Sequence, residues 1–302
     1  VGTAEDFAAL PESTLEFPAI AGDDPAYLPY TSGSTRCPKG VEITQNAVLT
    51  NLREIAEHGL KIGPTDRAVA WLPFYHDLGL VGFVLQPLVC QLSADYISPR
   101  TFAMRPRLWL KLLSDNRGTF SAGPPFGYEL CAKRLRHSDE SSYDLSAWRA
   151  ACVGAERINP DPLRHFAHAL KPSGFDEKAF VACYGMAECA LALSFERLDT
   201  GINVDVVRKY EMLNEGRAVG LPPDHEPSHN TLVFVDCGEL LPSFALQIRD
   251  DNGQEVPERH CGRICLKGPS IMRGYFQDPE ATREVLSEDG WLDTGDIGYR
   301  IG

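Results

Sequence analysis

The sequence predicts an α/β fold, in which a mostly parallel sheet with flanking helices is followed by a smaller, mainly β subdomain. Between residues 67 and 157, short apolar runs typical of strands alternate with segments of helical periodicity. Repeated β-α units of this kind favour a parallel sheet covered by helices. After residue 200, short alternating runs dominate, and Asn252 and Gly253 between two of these runs are a strong hairpin signal.

The chain opens with a predicted strand at 26–31, a loop of small polar residues at 32–40 and a second strand at 41–43. Thr44 is a candidate N-cap for the helix that follows, because its side-chain oxygen can accept a hydrogen bond from an early backbone N–H. Apolar residues then recur at helical spacing up to Gly59, a candidate C-cap. The order is therefore strand, loop, strand and helix.

The central region continues the alternation of strands and helices. Strands are predicted at 68–72, 95–98, 119–122, 150–153 and 180–183, and helices at 78–89, 105–113, 126–135 and 160–170. A polar, weakly periodic tract at 196–227 precedes predicted strands at 233–235, 244–249 and 263–267. We therefore divide the chain into an α/β region at 1–200 and a mainly β subdomain at 201–302.

Composition and charge exclude several classes of protein. The 302 residues are 43% hydrophobic and carry a net charge of −13, so an acidic surface would repel nucleic-acid backbones and anionic lipid headgroups. The apolar stretch 78–90 is shorter than the roughly 20 residues of a membrane helix and contains Gln86 and Pro87. We expect a soluble protein with no nucleic-acid partner and no membrane span.

The nine cysteines form neither a C-x-x-C pair nor a dense disulfide scaffold. Most lie in apolar surroundings, which is typical of reduced core thiols and indicates a cytoplasmic protein. Cys261 and Cys265 lie close to His260, but their spacing does not match a zinc knuckle and no second pair follows. We therefore predict no zinc site there.

The loop at 30–40, YTSGSTRCPKG, carries the strongest chemical signal. Small hydroxyl residues beside glycine allow backbone N–H groups and Oγ atoms to converge on a polyphosphate, and Lys39 adds a positive charge. It is not a Walker loop, because Pro38 precedes Lys39 and Gly40 follows it. The alternative interpretation is a flexible polar surface turn.

Four further segments contain candidate site residues. They are WLPFYHDLGL at 71–80, VGAERI at 153–158, CYGMAE at 183–188 and WLDTGDIGY at 291–299. On local grounds alone, His76 and Asp77 before an apolar helix fit a helix cap, and 153–158 fits an ordinary exit from a strand. A buried Tyr184 and a solvated Glu188 would likewise need no function.

In this order, the five segments resemble the adenylate-forming superfamily of acyl-CoA synthetases, luciferases and nonribosomal adenylation domains. The resemblance covers nearly the whole chain. It assigns the phosphate loop to Thr31, Ser32, Gly33, Ser34, Thr35, Pro38, Lys39 and Gly40. Arg36 stands where the family usually has glycine, and fatty acyl-AMP ligases commonly carry arginine there.

The resemblance also implies roles for the other candidate residues. His76 would lie beside the acyl carboxylate, and Gly154, Ala155 and Glu156 would form the loop next to adenine. Tyr184, followed by Gly185, would stack on the base, Glu188 would hold Mg²⁺, and Asp296 would bind the ribose hydroxyls. Ala187 replaces the usual threonine, so one hydroxyl contact to phosphate is absent.

The activity implied by the resemblance is the attack of a fatty-acid carboxylate on the α-phosphorus of ATP, giving acyl-AMP and pyrophosphate. Lys39 and His76 would be the catalytic residues, and ATP and Mg²⁺ the cofactors. Arg36, the HDLGL segment, Ala187 and the tract at 206–219 resemble a fatty acyl-AMP ligase of lipid or polyketide biosynthesis. Such a ligase delivers its product to an acyl carrier protein or polyketide synthase.

The sequence leaves two alternatives open. A fatty acyl-CoA synthetase would use coenzyme A as the acceptor, whereas a non-catalytic fragment would only bind nucleotide or a partner. The family has a longer segment before the phosphate loop and a C-terminal domain after the T-G-D strand. We therefore expect a piece of a larger protein that is weakly active or inactive by itself.

Overall fold

The computed structural model describes residues 5, 8–10, 18–31, 38–135, 142–222, 225 and 227–301. The strands in these ranges are β1 (Pro25–Tyr27), β2 (Val41–Thr44), β3 (Arg67–Ala70), β4 (Ser93–Tyr96), β5 (Phe120–Gly123), β6 (Ala150–Val153), β7 (Phe180–Gly185), β8 (Ala192–Phe195), β9 (Val204–Arg208), β10 (Thr231–Val235), β11 (Glu239–Leu240), β12 (Ala245–Arg249), β13 (Gly262–Lys267), β14 (Gly274–Tyr275) and β15 (Leu292–Gly298).

The helices in the described residues are α1 (Gln45–Glu54), α2 (Asp77–Leu80), α3 (Gln86–Val89), α4 (Pro99–Met104), α5 (Arg107–Asp115), α6 (Pro125–Arg134), α7 (Pro160–Leu170), α8 (Lys209–Glu215) and α9 (Pro279–Val285). Two π-helical segments, Ile55–Gly59 and Val81–Leu85, continue α1 and join α2 to α3. Among these helices, none has both the length and the apolar character that crossing a membrane requires.

The main sheet has seven strands in the order β11-β8-β7-β6-β5-β3-β4. Its strands from β7 to β4 run parallel, whereas β8 is antiparallel to β7 and β11 is antiparallel to β8. Smaller sheets follow in the chain, β9 with β10 and β12-β13-β15. The predicted α/β fold class, a mostly parallel sheet followed by a mainly β part, is confirmed.

The core beside the main sheet is rich in aromatic side chains. Trp109, Tyr128, Trp148 and Phe166 are almost completely buried and contact one another edge-on or stacked. Such aromatic pairs contribute about 0.5–1.5 kcal/mol each beyond the burial of their area. The packed rings fix the strands whose carboxyl ends form the candidate site.

Several predicted helix boundaries follow from local chemistry. The side chain of Thr44 accepts a hydrogen bond from the Ala47 N–H, so it caps α1 as predicted. Asn159 caps α7, and Pro160 occupies its first turn, where a missing N–H costs little. The predicted helix at 105–113 is present as α5, shifted by two residues and with Pro106 as its N-cap residue, whereas α4 before it was not predicted.

The later part of the chain contains both predicted and unpredicted elements. Asp250 N donates to the Gln254 carbonyl, and Gly253 adopts a φ of +77°, so the chain turns at Asn252 and Gly253 as the hairpin signal predicted. In contrast, the tract at 196–227 contains β9 and α8, which no local pattern predicted. The division at residue 200 stays a prediction.

Candidate active site

A cavity of about 520 Å³ opens beside the carboxyl ends of β5, β6 and β7. Ligands of parallel α/β sheets bind at this edge, because the loops that leave the strands converge there. The lining includes residues from all the predicted motif segments except the T-G-D strand: Thr31, Pro38, His76, Ala155, Tyr184 and Glu188. The sheet thus brings together segments far apart in the sequence.

The base of the predicted phosphate loop is closed like a hairpin. Tyr30 and Gly40 form an antiparallel bridge, and Thr31 N donates to the Lys39 carbonyl over 3.0 Å. Thr31 and Pro38 line the cavity. The predicted residues Ser32, Gly33, Ser34 and Thr35 lie outside the described part of the chain, so their phosphate contacts stay a prediction.

Lys39 and Glu188 meet at a third residue, Tyr275. The ammonium Nζ of Lys39 lies 4.7 Å from the centroid of the Tyr275 ring, and the Tyr275 hydroxyl donates to Glu188 Oε1 over 2.9 Å. Burial, and secondarily the Glu188 charge, raises the pKa of Tyr275, which keeps the hydroxyl protonated as a donor. Tyr275 was not among the candidate site residues predicted from the sequence, because a single tyrosine carries no distinctive local signal.

Tyr184 and Asp296 form the second contact between motifs. The Tyr184 hydroxyl donates to Asp296 Oδ2 over 2.6 Å, although 112 residues separate the two in sequence. Burial is the main reason that the pKa of Tyr184 is raised, and Asp296 adds to it. Gly295 has a φ of +76°, and Asp296 N donates to Thr294 Oγ1, so a bend in β15 presents the carboxylate.

Close backbone approach explains the glycines at the ends of β6 and β7. A Cβ on Gly154 would lie 2.7 Å from the Cys183 carbonyl oxygen, and one on Gly185 would lie 1.9 Å from the Leu191 carbonyl oxygen. Ala155, with a φ of +66°, follows Gly154 and lines the cavity. Glu156 Oε1 instead accepts a hydrogen bond from Phe126 N at the start of α6, where a negative charge stabilises the helix.

His76 has features of both interpretations given by the sequence, a helix cap and a site residue. It precedes α2 as the N-cap residue and also lines the cavity, with Nδ1 2.5 Å from Asp77 Oδ1. The hydrogen bond to Asp77 raises the pKa of His76, against the opposing effect of partial burial. Leu78 N also lies 3.2 Å from Nδ1, but it already donates to Asp77 Oδ1 over 2.6 Å. We therefore assign Nδ1 as the donor in an ion pair with Asp77.

One part of the cavity, which we call the apolar end, is lined by hydrocarbon side chains. Both π-helical segments contribute to it, and such segments are frequent at functional sites. Its lining consists of almost fully buried hydrocarbon side chains from four parts of the chain: Ile55, Leu60, Phe83, Phe120 and Phe195. This end can accept an alkyl or aryl group by the hydrophobic effect.

Glu188 has the chemistry of a magnesium ligand. Among the described residues, no three His, Cys, Asp or Glu side chains converge as a metal-binding group. Mg²⁺ is nevertheless often held by one or two carboxylates together with waters and substrate phosphates. Glu188 is only 8% exposed and uses one acceptor position for Tyr275, which leaves further lone pairs on its carboxylate. The donor set therefore fits a cation shared with polyphosphate.

One family model and several known proteins are similar to this chain. A family model described as AMP-binding enzyme matches residues 3–276. A Caulobacter vibrioides protein named putative acyl-CoA synthetase is 45% identical, with 97% of this chain and 51% of the relative covered. A Teredinibacter turnerae protein named medium-chain-fatty-acid–[acyl-carrier-protein] ligase TtuA is 34% identical, with 95% and 46% covered.

A solved structure from studies of fatty acyl-adenylate ligases from E. coli and L. pneumophila is also similar. It has a TM-score of 0.90 and 48% sequence identity, and the match covers 98% of this chain and 53% of that one. The chain spans about half the length of the curated relatives that it matches.

Proposed function

Because this chain belongs to the family of AMP-binding enzymes, we propose that the whole protein activates a fatty acid with ATP. This family is part of the adenylate-forming superfamily that the motifs indicated. The products would be a fatty acyl-AMP and pyrophosphate. One observation carries the proposal. The Lys39–Tyr275–Glu188 and Tyr184–Asp296 contacts join three motif segments, at 30–40, 183–188 and 291–299, beside a cavity with an apolar end.

In the proposed reaction, a carboxylate oxygen of the fatty acid forms a bond to the α-phosphorus of ATP. The bond between that phosphorus and the bridging oxygen of pyrophosphate breaks. Both reactants are anions, so charge neutralisation and positioning must supply most of the rate enhancement. Lys39 would neutralise the leaving pyrophosphate, and Mg²⁺ held at Glu188 would add positive charge beside the same phosphate oxygens.

The remaining residues would position the two substrates. Tyr184 would offer an aromatic face to adenine, and Asp296 would accept hydrogen bonds from the ribose hydroxyls. His76, whose pKa is raised by the hydrogen bond to Asp77, would hold the fatty-acid carboxylate at the cavity rim when it is protonated. Ala155 and Gly154 would allow the backbone to approach the base. The apolar end would take the hydrocarbon chain and exclude water from it.

The acceptor that we favour is an acyl carrier protein or a polyketide synthase. Arg36 and Ala187 support this choice, as does the name of the Teredinibacter relative. Coenzyme A is the second candidate, because the Caulobacter relative is named a putative acyl-CoA synthetase. We also propose a cytoplasmic location, since the cysteines of the described residues are free thiols, as a reducing compartment favours.

The test uses the whole protein with ATP, Mg²⁺ and a series of fatty acids. We expect pyrophosphate release that depends on the fatty acid and an acyl-adenylate that hydroxylamine traps. Absence of both products would contradict the proposal and favour a non-catalytic nucleotide-binding protein. Thioester formation is then compared between coenzyme A and a phosphopantetheinylated carrier protein, and faster transfer to the carrier supports the ligase assignment.

A further inference from the structure

Tyr275 lies on a short strand fastened to the segment that follows the phosphate loop. In β14, Tyr275 pairs with Val41 of β2, and the next residue, Phe276, donates its backbone N–H to the Gly40 carbonyl over 2.7 Å. The Tyr275 N–H donates to Thr282 Oγ1 over 2.9 Å. The backbone of Tyr275 is thus held from both sides, one residue away from the loop that carries Lys39.

The same strand region also holds the backbone of Glu188. Met272 N donates to the Glu188 carbonyl over 2.8 Å, three residues before Tyr275. The Tyr275 hydroxyl reaches the carboxylate of Glu188 over 2.9 Å, so this residue is tied to the strand through both its backbone and its side chain.

The phenol side chain of Tyr275 lies between two opposite charges. Its ring face, which carries the negative part of the aromatic quadrupole, attracts the Lys39 ammonium at 4.7 Å, and its hydroxyl makes a charge-assisted hydrogen bond to Glu188. Glu188 is 8% exposed, so few water molecules can replace this donor. Both groups are therefore fixed in position before a ligand arrives, which lowers the entropy that binding must cost.

We propose that Tyr275 is a positioning residue that sets the spacing of Lys39 and Glu188 for the magnesium-bound polyphosphate of ATP. The proposal rests on the proposed function. Tyr275 acts through its two neighbours and takes no part in the bond changes. Its hydroxyl orients the carboxylate toward the cation, and its ring orients the ammonium.

The test measures ATP binding to the purified chain as a function of Mg²⁺ concentration, with AMP binding as the reference. Tyr275→Phe keeps the ring but removes the hydroxyl. We expect the Mg²⁺ concentration for half-maximal ATP binding to rise about tenfold, as loss of a hydrogen bond to a charged group predicts, while AMP affinity changes less than about twofold. Tyr275→Leu removes the ring as well, and ATP affinity should then also fall at saturating Mg²⁺.

The matched control is Tyr210→Phe, which removes a hydroxyl from a tyrosine that is 70% exposed on α8 and should leave all binding constants unchanged. In a Glu188→Gln background, Tyr275→Phe should have less than a third of its original effect, because both changes remove one interaction. Thermal unfolding of each variant shows whether the fold is retained.

Two results would overturn the proposal in distinguishable ways. If the chain with its original sequence binds ATP and Tyr275→Phe leaves its Mg²⁺ dependence unchanged, the positioning role alone is wrong. An equal loss of ATP and AMP binding in folded Tyr275→Phe would likewise indicate a general structural role. If the original chain binds no ATP at all, both the positioning role and the proposed nucleotide site are wrong.

Discussion

At the scale of single residues, the protonation of His76 depends on one neighbouring carboxylate. The Asp77 hydrogen bond raises the pKa of His76 above its ordinary value of about 6.5. We predict that an NMR titration of His76 has its midpoint above this value and that Asp77→Asn lowers the midpoint. An unchanged midpoint in Asp77→Asn would contradict the ion pair.

The stability that the His76–Asp77 ion pair contributes depends on pH, because the pKa of His76 differs between the folded and unfolded chain. Because folding raises the pKa of His76, the ion pair contributes fully to stability below the pKa of histidine in the unfolded chain. The contribution is lost as the pH rises through the raised value in the folded chain. Fatty-acid binding at the rim should weaken over the same window, since neutral imidazole attracts a carboxylate less.

Sequence motifs were informative for some of these residues and silent for others. Lys39 stood out because a lysine in a glycine- and serine-rich loop has no role in a core, and Asp296 because of its T-G-D context. Tyr275 gave no such signal, and Asp77 indicated only a helix cap, since the roles of both residues come from contacts with Glu188 and His76 in the folded chain. The exact contacts of a carboxylate cannot be read from its neighbours in sequence.

At the scale of elements, Gly82 in the π-helical segment Val81–Leu85 leaves space in the cavity because it has no side chain. A Cβ on Gly82 would lie 3.4 Å from Leu191 Cδ2 and 3.6 Å from Leu78 Cδ1, in ordinary contact with flexible side-chain ends. We predict that Gly82→Leu weakens binding of long-chain fatty acids roughly tenfold more than that of short-chain acids, because its added atoms overpack the cavity.

Direct binding measurements over a series of chain lengths test this prediction. Gly82→Ala should bind the series nearly as the original chain does. Gly63→Leu is a matched control, since a Cβ at Gly63 meets only Asp66 Oδ2 at 4.0 Å. Equal weakening for every chain length in Gly82→Leu would show that Gly82 does not limit the acyl space.

Local patterns predicted elements well where the residues themselves favour one conformation. The predicted bounds of β6 and α7, 150–153 and 160–170, are those of the structure. By contrast, β9 was not predicted, because Val204–Arg208 becomes a strand by pairing with Thr231–Val235, more than twenty residues away. The π-helical turns were also unpredicted, since they continue helical periodicity with one extra residue.

At the scale of the whole molecule, Asn51 joins α1 to the main sheet. Its fully buried amide donates to the Ala192 carbonyl over 2.7 Å and accepts from Ala192 N over 3.0 Å, across 141 residues of sequence. We predict that Asn51→Ala lowers the free energy of unfolding by about 2–4 kcal/mol, because two buried backbone groups lose their partner.

Denaturant unfolding of Asn51→Ala and of Leu49→Ala tests this link. Leu49 is 48% exposed on the same helix, so its truncation should change the free energy of unfolding by less than about 0.5 kcal/mol. A similarly small change for Asn51→Ala would mean that the contact contributes little to the fold.

One mononucleotide should contact Lys39, Tyr184, Glu188 and Asp296 together. A crystal structure of the chain with a non-hydrolysable fatty acyl-adenylate analogue would show whether it does. We expect adenine against the Tyr184 ring, the ribose hydroxyls on Asp296, the phosphate on the side of Lys39 and Glu188, and the hydrocarbon chain in the apolar end. If the analogue bound elsewhere and left these four side chains free, the proposed nucleotide site would be wrong.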